Sequence, residues 1–266
     1  MTYETILVDT PRPRVVRVTL NRPESLNGYT PTMCRELTHE LDAYAADDEA
    51  RCLVITGAGR GFCSGGDIKR LEGYEMARHR QLGHGVVMRE GNHRLGLTMR
   101  RLDKPLIAAI NGPAVAGGLA LALLCDLRIA ADSAVLGDTS GNFGLLPDEG
   151  GAWLLPRSIG LDRALRMIWL SEVVDAKTAL DLGLVTDVVP AASLQDTALD
   201  LAEQIAARAP MAVRLAKRLA VRGLEQDLDQ ALGEAELSVL AVNGSDDARE
   251  GIAAFAEKRK PTFTGH

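Results

Sequence analysis

The chain has 266 residues, of which 46% are hydrophobic and 25% charged, and its formal net charge is −6. That length suits one large domain, or one domain with a helical extension, and can bury a substantial core. The acidic balance excludes a general nucleic-acid surface, so an anionic ligand must be met by local basic residues such as Arg22 or Lys69.

Residues 6–8 and 15–20 read as strands around a turn that holds Pro11 and Pro13. Residues 31–45 read as a helix with Thr30 as N-cap and Pro31 in its first position. Its apolar face is Met33, Leu37, Leu41 and Tyr44. A buried strand over 51–56 leads into a glycine-rich loop. Residues 75–101 are helix-like but weakly patterned, and Gly83, Gly85, Gly91 and Gly96 argue against one regular helix. The strand–loop–helix unit recurs over 106–124. A strand over 126–131 and a loop-rich segment over 132–151 follow, then helices over 150–159, 161–170 and 176–182 and a strand over 185–189. From 191 onward the pattern is helical, with breaks at Pro210, Gly223 and Gly244. Periodicity therefore gives a mixed α/β core over 1–190 and an all-helical part over 191–266.

The apolar stretch 106–125 is interrupted by Asn111-Gly112-Pro113, and the twelve residues after Pro113 are too few to cross a bilayer. Cys34, Cys52, Cys63 and Cys125 show no C-x-x-C spacing, and no signal peptide is recognised, which suggests reduced thiols and a cytoplasmic protein. Cys63 as a nucleophile would need an identifiable base. His39, His79, His84, His93 and His266 show no metal-ligand spacing with each other or with the cysteines.

Chemistry concentrates in two glycine loops. The first is Gly57-Ala58-Gly59-Arg60-Gly61-Phe62-Cys63-Ser64-Gly65-Gly66-Asp67-Ile68-Lys69, and the second is Asn111-Gly112-Pro113-Ala114-Val115-Ala116-Gly117-Gly118. Each follows an apolar strand and opens into a helix. Such turns aim free backbone N–H groups at one point, which suits a phosphate or a developing oxyanion.

Both loops resemble the enoyl-CoA hydratase/isomerase (crotonase) family. So do the loop Asn21-Arg22-Pro23-Glu24-Ser25-Leu26-Asn27, the strand Cys125-Asp126-Leu127-Arg128-Ile129-Ala130, and the C-terminal stretch from Glu250 through Phe255 and Lys258 to Pro261. Each motif is weak alone, but in this order the set is highly specific. The resemblance implies a spiral of ββα units with a C-terminal helical part that completes the active site. It also implies a homotrimer or a dimer of trimers, and no cofactor beyond the coenzyme A that enters with the substrate.

The family's shared step is stabilisation of a thioester enolate. By motif position, Gly66 and Gly117 supply the two N–H donors. Arg22, Ser25 and Leu26 on one loop, and Ser64, Gly65, Asp67, Ile68 and Lys69 on the other, are expected to flank the coenzyme A or its acyl group. Phe255 and Lys258 match positions that often reach a neighbouring subunit's coenzyme A. Asp67 also reads as a structural carboxylate at a helix start.

The pattern then departs from the family. Hydratases of this family use two glutamates, but their positions here hold Ala120 and Ser140 or its neighbours. Alanine moves no proton, and an unaided serine is a poor general base. Glu149 is the first replacement candidate, because some dienoyl-CoA isomerases carry an acid there. Asp138 is the second, although it also reads as a turn residue. Asp148 reads as a helix cap. His84 and His93 are further acid–base candidates or surface histidines, and Trp153 and Trp169 shape the pocket or pack helices. The expected activity is isomerase-like or atypical hydratase chemistry on an enoyl-CoA. Hydrolysis of a β-diketone C–C bond and catalytically inactive binding of a CoA ester are the alternatives.

Overall fold

The structure, a computed structural model, describes residues 2–67 and 84–266. Its centre is a six-stranded sheet: β1 (Ile6–Arg12), β2 (Val15–Leu20), β3 (Cys52–Gly57), β4 (Leu106–Ile110), β6 (Leu127–Ala131) and β9 (Asp187–Val189), in that spatial order. β1 and β2 form a hairpin, and every other neighbouring pair is parallel. Leu53, Val54 and Ile55 of β3 and all of β4 are fully buried. A continuous apolar run is what a parallel strand covered on both faces requires. β5 (Ala114–Val115), β7 (Val135–Gly137) and β8 (Val173–Asp175) make a second, three-stranded sheet. These short strands carry too little period-2 signal to be read from sequence.

α1 (Pro31–Ala46) starts as expected, with the Thr30 hydroxyl accepting from Met33 N at 3.2 Å. It buries Met33, Leu37, Leu41 and Tyr44. Each such side chain stabilises the fold by about 1.5–3 kcal/mol on burial. Its C-terminus is held by the buried Lys104, whose Nζ donates to the Tyr44 and Asp47 carbonyls. The described part of 75–101 forms two helices, α2 (His84–Glu90) and α3 (Asn92–Arg101), broken at Gly91.

α4 (Gly117–Leu123) is buried along its whole length. α5 (Gly151–Ile159), α6 (Leu161–Leu170) and α7 (Ala176–Leu182) lie close to the expected bounds. α8 (Leu194–Ala206) buries Leu194, Ala198, Leu199, Ala202 and Ala206 against the six-stranded sheet. The core thus takes in the first helix of the 191–266 segment. α9 (Pro210–Gly223), α10 (Leu228–Asn243) and α11 (Asp246–Ala256) lie outside it, and α9 and α10 contain no buried residue. Among the described residues no helix is long and apolar enough to cross a membrane.

The sheet topology decides where the two glycine loops meet. β3 and β4 are parallel neighbours with Thr56 opposite Ala109, so both loops leave the same edge. Asn111 then joins them: Oδ1 accepts from Gly57 N at 3.0 Å, and Nδ2 donates to Gly59 O and Gly61 O. At Gly112 the loops pack so closely that a Cβ would overlap the Arg60 carbonyl oxygen. Only glycine fits there.

Candidate active site

The first glycine loop is fixed from two sides. Asn27, fully buried, accepts from Arg22 N and donates to Ala58 O and Gly61 O at 2.9 and 2.8 Å. Ser64 N donates to Leu26 O, and Ser64 Oγ donates to Ser25 O, both at 3.0 Å. Ser25, Leu26 and Ser64 therefore hold the two loops to each other. Tyr29 continues the seam as a one-residue parallel bridge to Gly66: its N–H donates to Gly65 O, and its carbonyl accepts from Asp67 N.

Arg22 has a different placement from an exposed phosphate ligand. It is only 5% exposed. Its guanidinium donates to Asp67 Oδ2 at 2.6 Å and to the Gly28 carbonyl, and Glu24 lies at 4.0 Å. A buried, paired guanidinium organises the loop from within. Asp67, expected as a structural carboxylate, is the other half of that pair. Ile68 and Lys69 lie outside the described residues.

Gly66 and Gly117 are the two donors expected from the motifs. Among the described residues, neither N–H donates to a protein acceptor. The loops touch here, since a Cβ on Gly65 would lie 3.0 Å from Gly117 N. Gly117 also opens α4, so its N–H belongs to the unpaired first turn of a helix. A Cβ at Gly117 would overlap the Tyr29 hydroxyl and lie 2.7 Å from Glu149 Oε1. Glycine here leaves room for those two side chains.

Glu149 thus lies against Gly117, the second expected donor. Tyr29 Oη donates to Glu149 Oε1 in a short hydrogen bond. Burial raises the Glu149 carboxyl from its ordinary 4.5 to about 7; the Tyr29 hydrogen bond works against that rise, and the neighbouring Asp148 carboxylate adds to it. Burial, then the Glu149 charge, pushes the Tyr29 phenol well above its ordinary range, so it remains a donor. His93 Nε2 lies 2.9 Å from the Asp148 carbonyl. A carbonyl only accepts, so Nε2 carries the hydrogen and holds the peptide that carries Glu149. Asp148 is not a helix cap: α5 starts after Gly150 without a side-chain cap bond.

The remaining candidates separate. Asp138 is buried, and its Oδ1 accepts from Ser140 N at 2.9 Å. A Cβ on Gly151 would lie 3.5 Å from its Oδ2. Its recorded contacts are those of a turn-holding carboxylate at the edge of the site. Ala120 and Ser140 are buried. Burial pushes the Cys63 thiol up to about 12, so it is no thiolate nucleophile at neutral pH. Phe255 is 87% exposed on α11 and lines a separate cavity with Met211 and Phe263, and Lys258 follows that helix. The single chain does not bring either to the loops. His84 is the first residue of α2. Among the described residues no cluster of His, Cys, Asp or Glu is arranged to hold a metal.

A cavity of about 810 Å³ opens beside Glu149. His93, Gly96, Leu97 and Arg100 line it from one face of α3, so it extends about 10 Å along that helix at 1.5 Å per residue. Leu124, Trp153, Leu154 and Val221 supply apolar walls. The Arg157 guanidinium stacks 3.9 Å from the Trp153 ring centroid, and that of Arg100 lies 5.4 Å away. Trp169 is exposed and is not part of this wall. Sequence reasoning missed Tyr29. The available signal was a tyrosine two residues beyond Asn27, one of only four in the chain.

A family profile described as enoyl-CoA hydratase/isomerase matches residues 12–266. The chain is 38% identical over 252 residues to the (E)-benzylidenesuccinyl-CoA hydratase of Thauera aromatica, covering 94% of this chain and 96% of that one. It is also 38% identical over 252 residues to the 1,2-epoxyphenylacetyl-CoA isomerase of Escherichia coli, covering 94% and 95%. The crystal structure of enoyl-CoA hydratase from Bacillus anthracis superposes with a TM-score of 0.92 at 36% identity, over 99% of this chain and all of that one.

Proposed function

This chain belongs to the enoyl-CoA hydratase/isomerase family, and we propose that it is a proton-transfer enzyme in which Glu149 works on an enoyl-CoA thioester. The Glu149 carboxylate removes a proton from the carbon next to the thioester carbonyl, and the C–H electron pair moves into the enolate, whose oxygen accepts from Gly66 N–H and Gly117 N–H. Returning the same proton two carbons along shifts the double bond and regenerates the carboxylate. One residue is enough for this cycle, so the absence of acids at Ala120 and Ser140 does not obstruct it. A carboxyl near neutral can both take and return a proton at physiological pH. The observation that carries the reading is the Glu149 carboxyl, raised to about 7 and packed against Gly117.

Asp148 favours water addition as the second reading. Its carboxylate lies close enough to raise that of Glu149, so a second acid stands beside the first, and hydration uses two. The cavity along α3 favours a bulky acyl group, and both relatives named above carry benzylidene or phenyl groups in their substrate names. We place coenzyme A across the 22–26 loop. Three chains assemble, alone or as paired trimers, through apolar side chains left exposed on the C-terminal helices, among them Leu228, Leu240, Ile252 and Phe255. The test is to supply 3-enoyl-CoA and 2-enoyl-CoA esters with phenyl-bearing acyl groups and identify products by mass and double-bond position. Double-bond migration lost in Glu149→Gln supports the reading. Full activity of that variant overturns it.

A further inference from the structure

Tyr29 is bound to both halves of the site. Its backbone bridges to Gly66, and its phenol donates to Glu149 and occupies the space against Gly117 where a Cβ would stand. A phenol has one proton to donate and one acceptor at a time to receive it. While Glu149 is ionised, the carboxylate takes that hydrogen bond. Once Glu149 has accepted the substrate's proton it is a weaker acceptor, and the full negative charge now lies on the enolate oxygen in front of Gly117. Charged acceptors draw the stronger hydrogen bond.

Resting on the enolate chemistry proposed above, we infer that Tyr29 is a third oxyanion donor that engages only as the enolate forms. Its O–H bond stays intact and exchanges the Glu149 oxygen for the enolate oxygen. The proton released by the substrate carbon stays on Glu149, and no other proton or electron moves. When Glu149 returns the proton, the enolate charge vanishes and the phenol goes back to the carboxylate. An interaction made only with the developing charge contributes to turnover and not to substrate binding. The N–H groups of Gly66 and Gly117 differ in that they face the carbonyl oxygen throughout.

The experiment is Tyr29→Phe, which keeps the ring and removes only the hydroxyl. Three quantities are read: kcat and KM for double-bond migration, the Kd of a saturated acyl-CoA, and the fraction of a bound 3-oxoacyl-CoA present as its ultraviolet-absorbing enolate. The expected result is a loss of about tenfold to a hundredfold in kcat and a similar loss in enolate fraction, somewhat below the effect of removing a permanent donor. KM and the saturated-ester Kd should stay within about twofold, which also reports an intact fold. Undiminished enolate formation in the variant overturns the inference and leaves Tyr29 only as a positioning residue for Glu149. If the wild type binds the saturated ester yet forms no enolate, the enolate reading fails first, and this inference with it. If it binds neither ester, the assignment to acyl-CoA fails.

Discussion

Replacing Glu149 by Gln should make the protein inactive and, above neutral pH, more stable. The native carboxyl holds its proton up to about pH 7, against 4.5 for an unperturbed one. Between those values the folded chain is protonated there while the unfolded chain is not, so unfolding releases a proton and stability falls as pH rises. The penalty is absent below about 4.5 and complete above about 7. A difference of about 2.5 units, at about 1.4 kcal/mol each, puts its upper limit at about 3.5 kcal/mol. Glutamine has nearly the same shape and can still accept from Tyr29, but it does not ionise. The stability gap between Glu149→Gln and wild type should therefore widen from pH 5 to 8 and then level off. For a chain of this size the limit corresponds to about 7–14 °C in Tm. Thermal melts from pH 5 to 8.5 at one fixed protein concentration read this directly, with turnover measured on the same samples. A gap that does not change with pH would refute the argument that burial raises this carboxyl to about 7.

Other outcomes follow from the same contacts. In wild type, kcat/KM should rise about tenfold per pH unit on the acid side and level off near 7, as Glu149 becomes able to accept a proton; a limb near 4.5 would move the role to another carboxylate. Gly117→Ala should lose at least about a hundredfold in kcat, because the new Cβ displaces Tyr29 and Glu149 from the donor; steady-state kinetics with a folded-state check reads it. Arg22→Ala should cost about 3–5 kcal/mol in denaturant unfolding, since it strips the buried Asp67 and the Gly28 carbonyl of their guanidinium. Light scattering should give a mass of three or six chains of 28.5 kDa, and Phe255→Asp should lower it.

Much of this arrangement is legible in the chain. Continuous apolar runs mark β3 and β4, Thr30 and Pro31 mark the start of α1, and the glycine spacing marks both loops. Glu149 is legible because a motif fixes its distance from Pro147. What is not legible depends on side chains meeting across long stretches of chain. Arg22 looks like a free cation until Asp67 is seen to fold against it. Tyr29 and Glu149 are 120 positions apart, and they meet where Tyr29 is bridged to Gly66 and Glu149 lies against Gly117. The strands β5, β7 and β8 were lost for the opposite reason, being too short to show a period at all.

In the proposed reaction Glu149 removes a carbon-bound proton while Gly66 and Gly117 hold the enolate oxygen. Solvent deuterium exchange reads that step. Wild type and Glu149→Gln are incubated in deuterated water with a saturated phenylalkanoyl-CoA, and the mass of the recovered ester is followed. Deuterium should appear at the carbon beside the thioester with wild type, with a loss of at least about a thousandfold with the variant. Equal exchange by both proteins would contradict it.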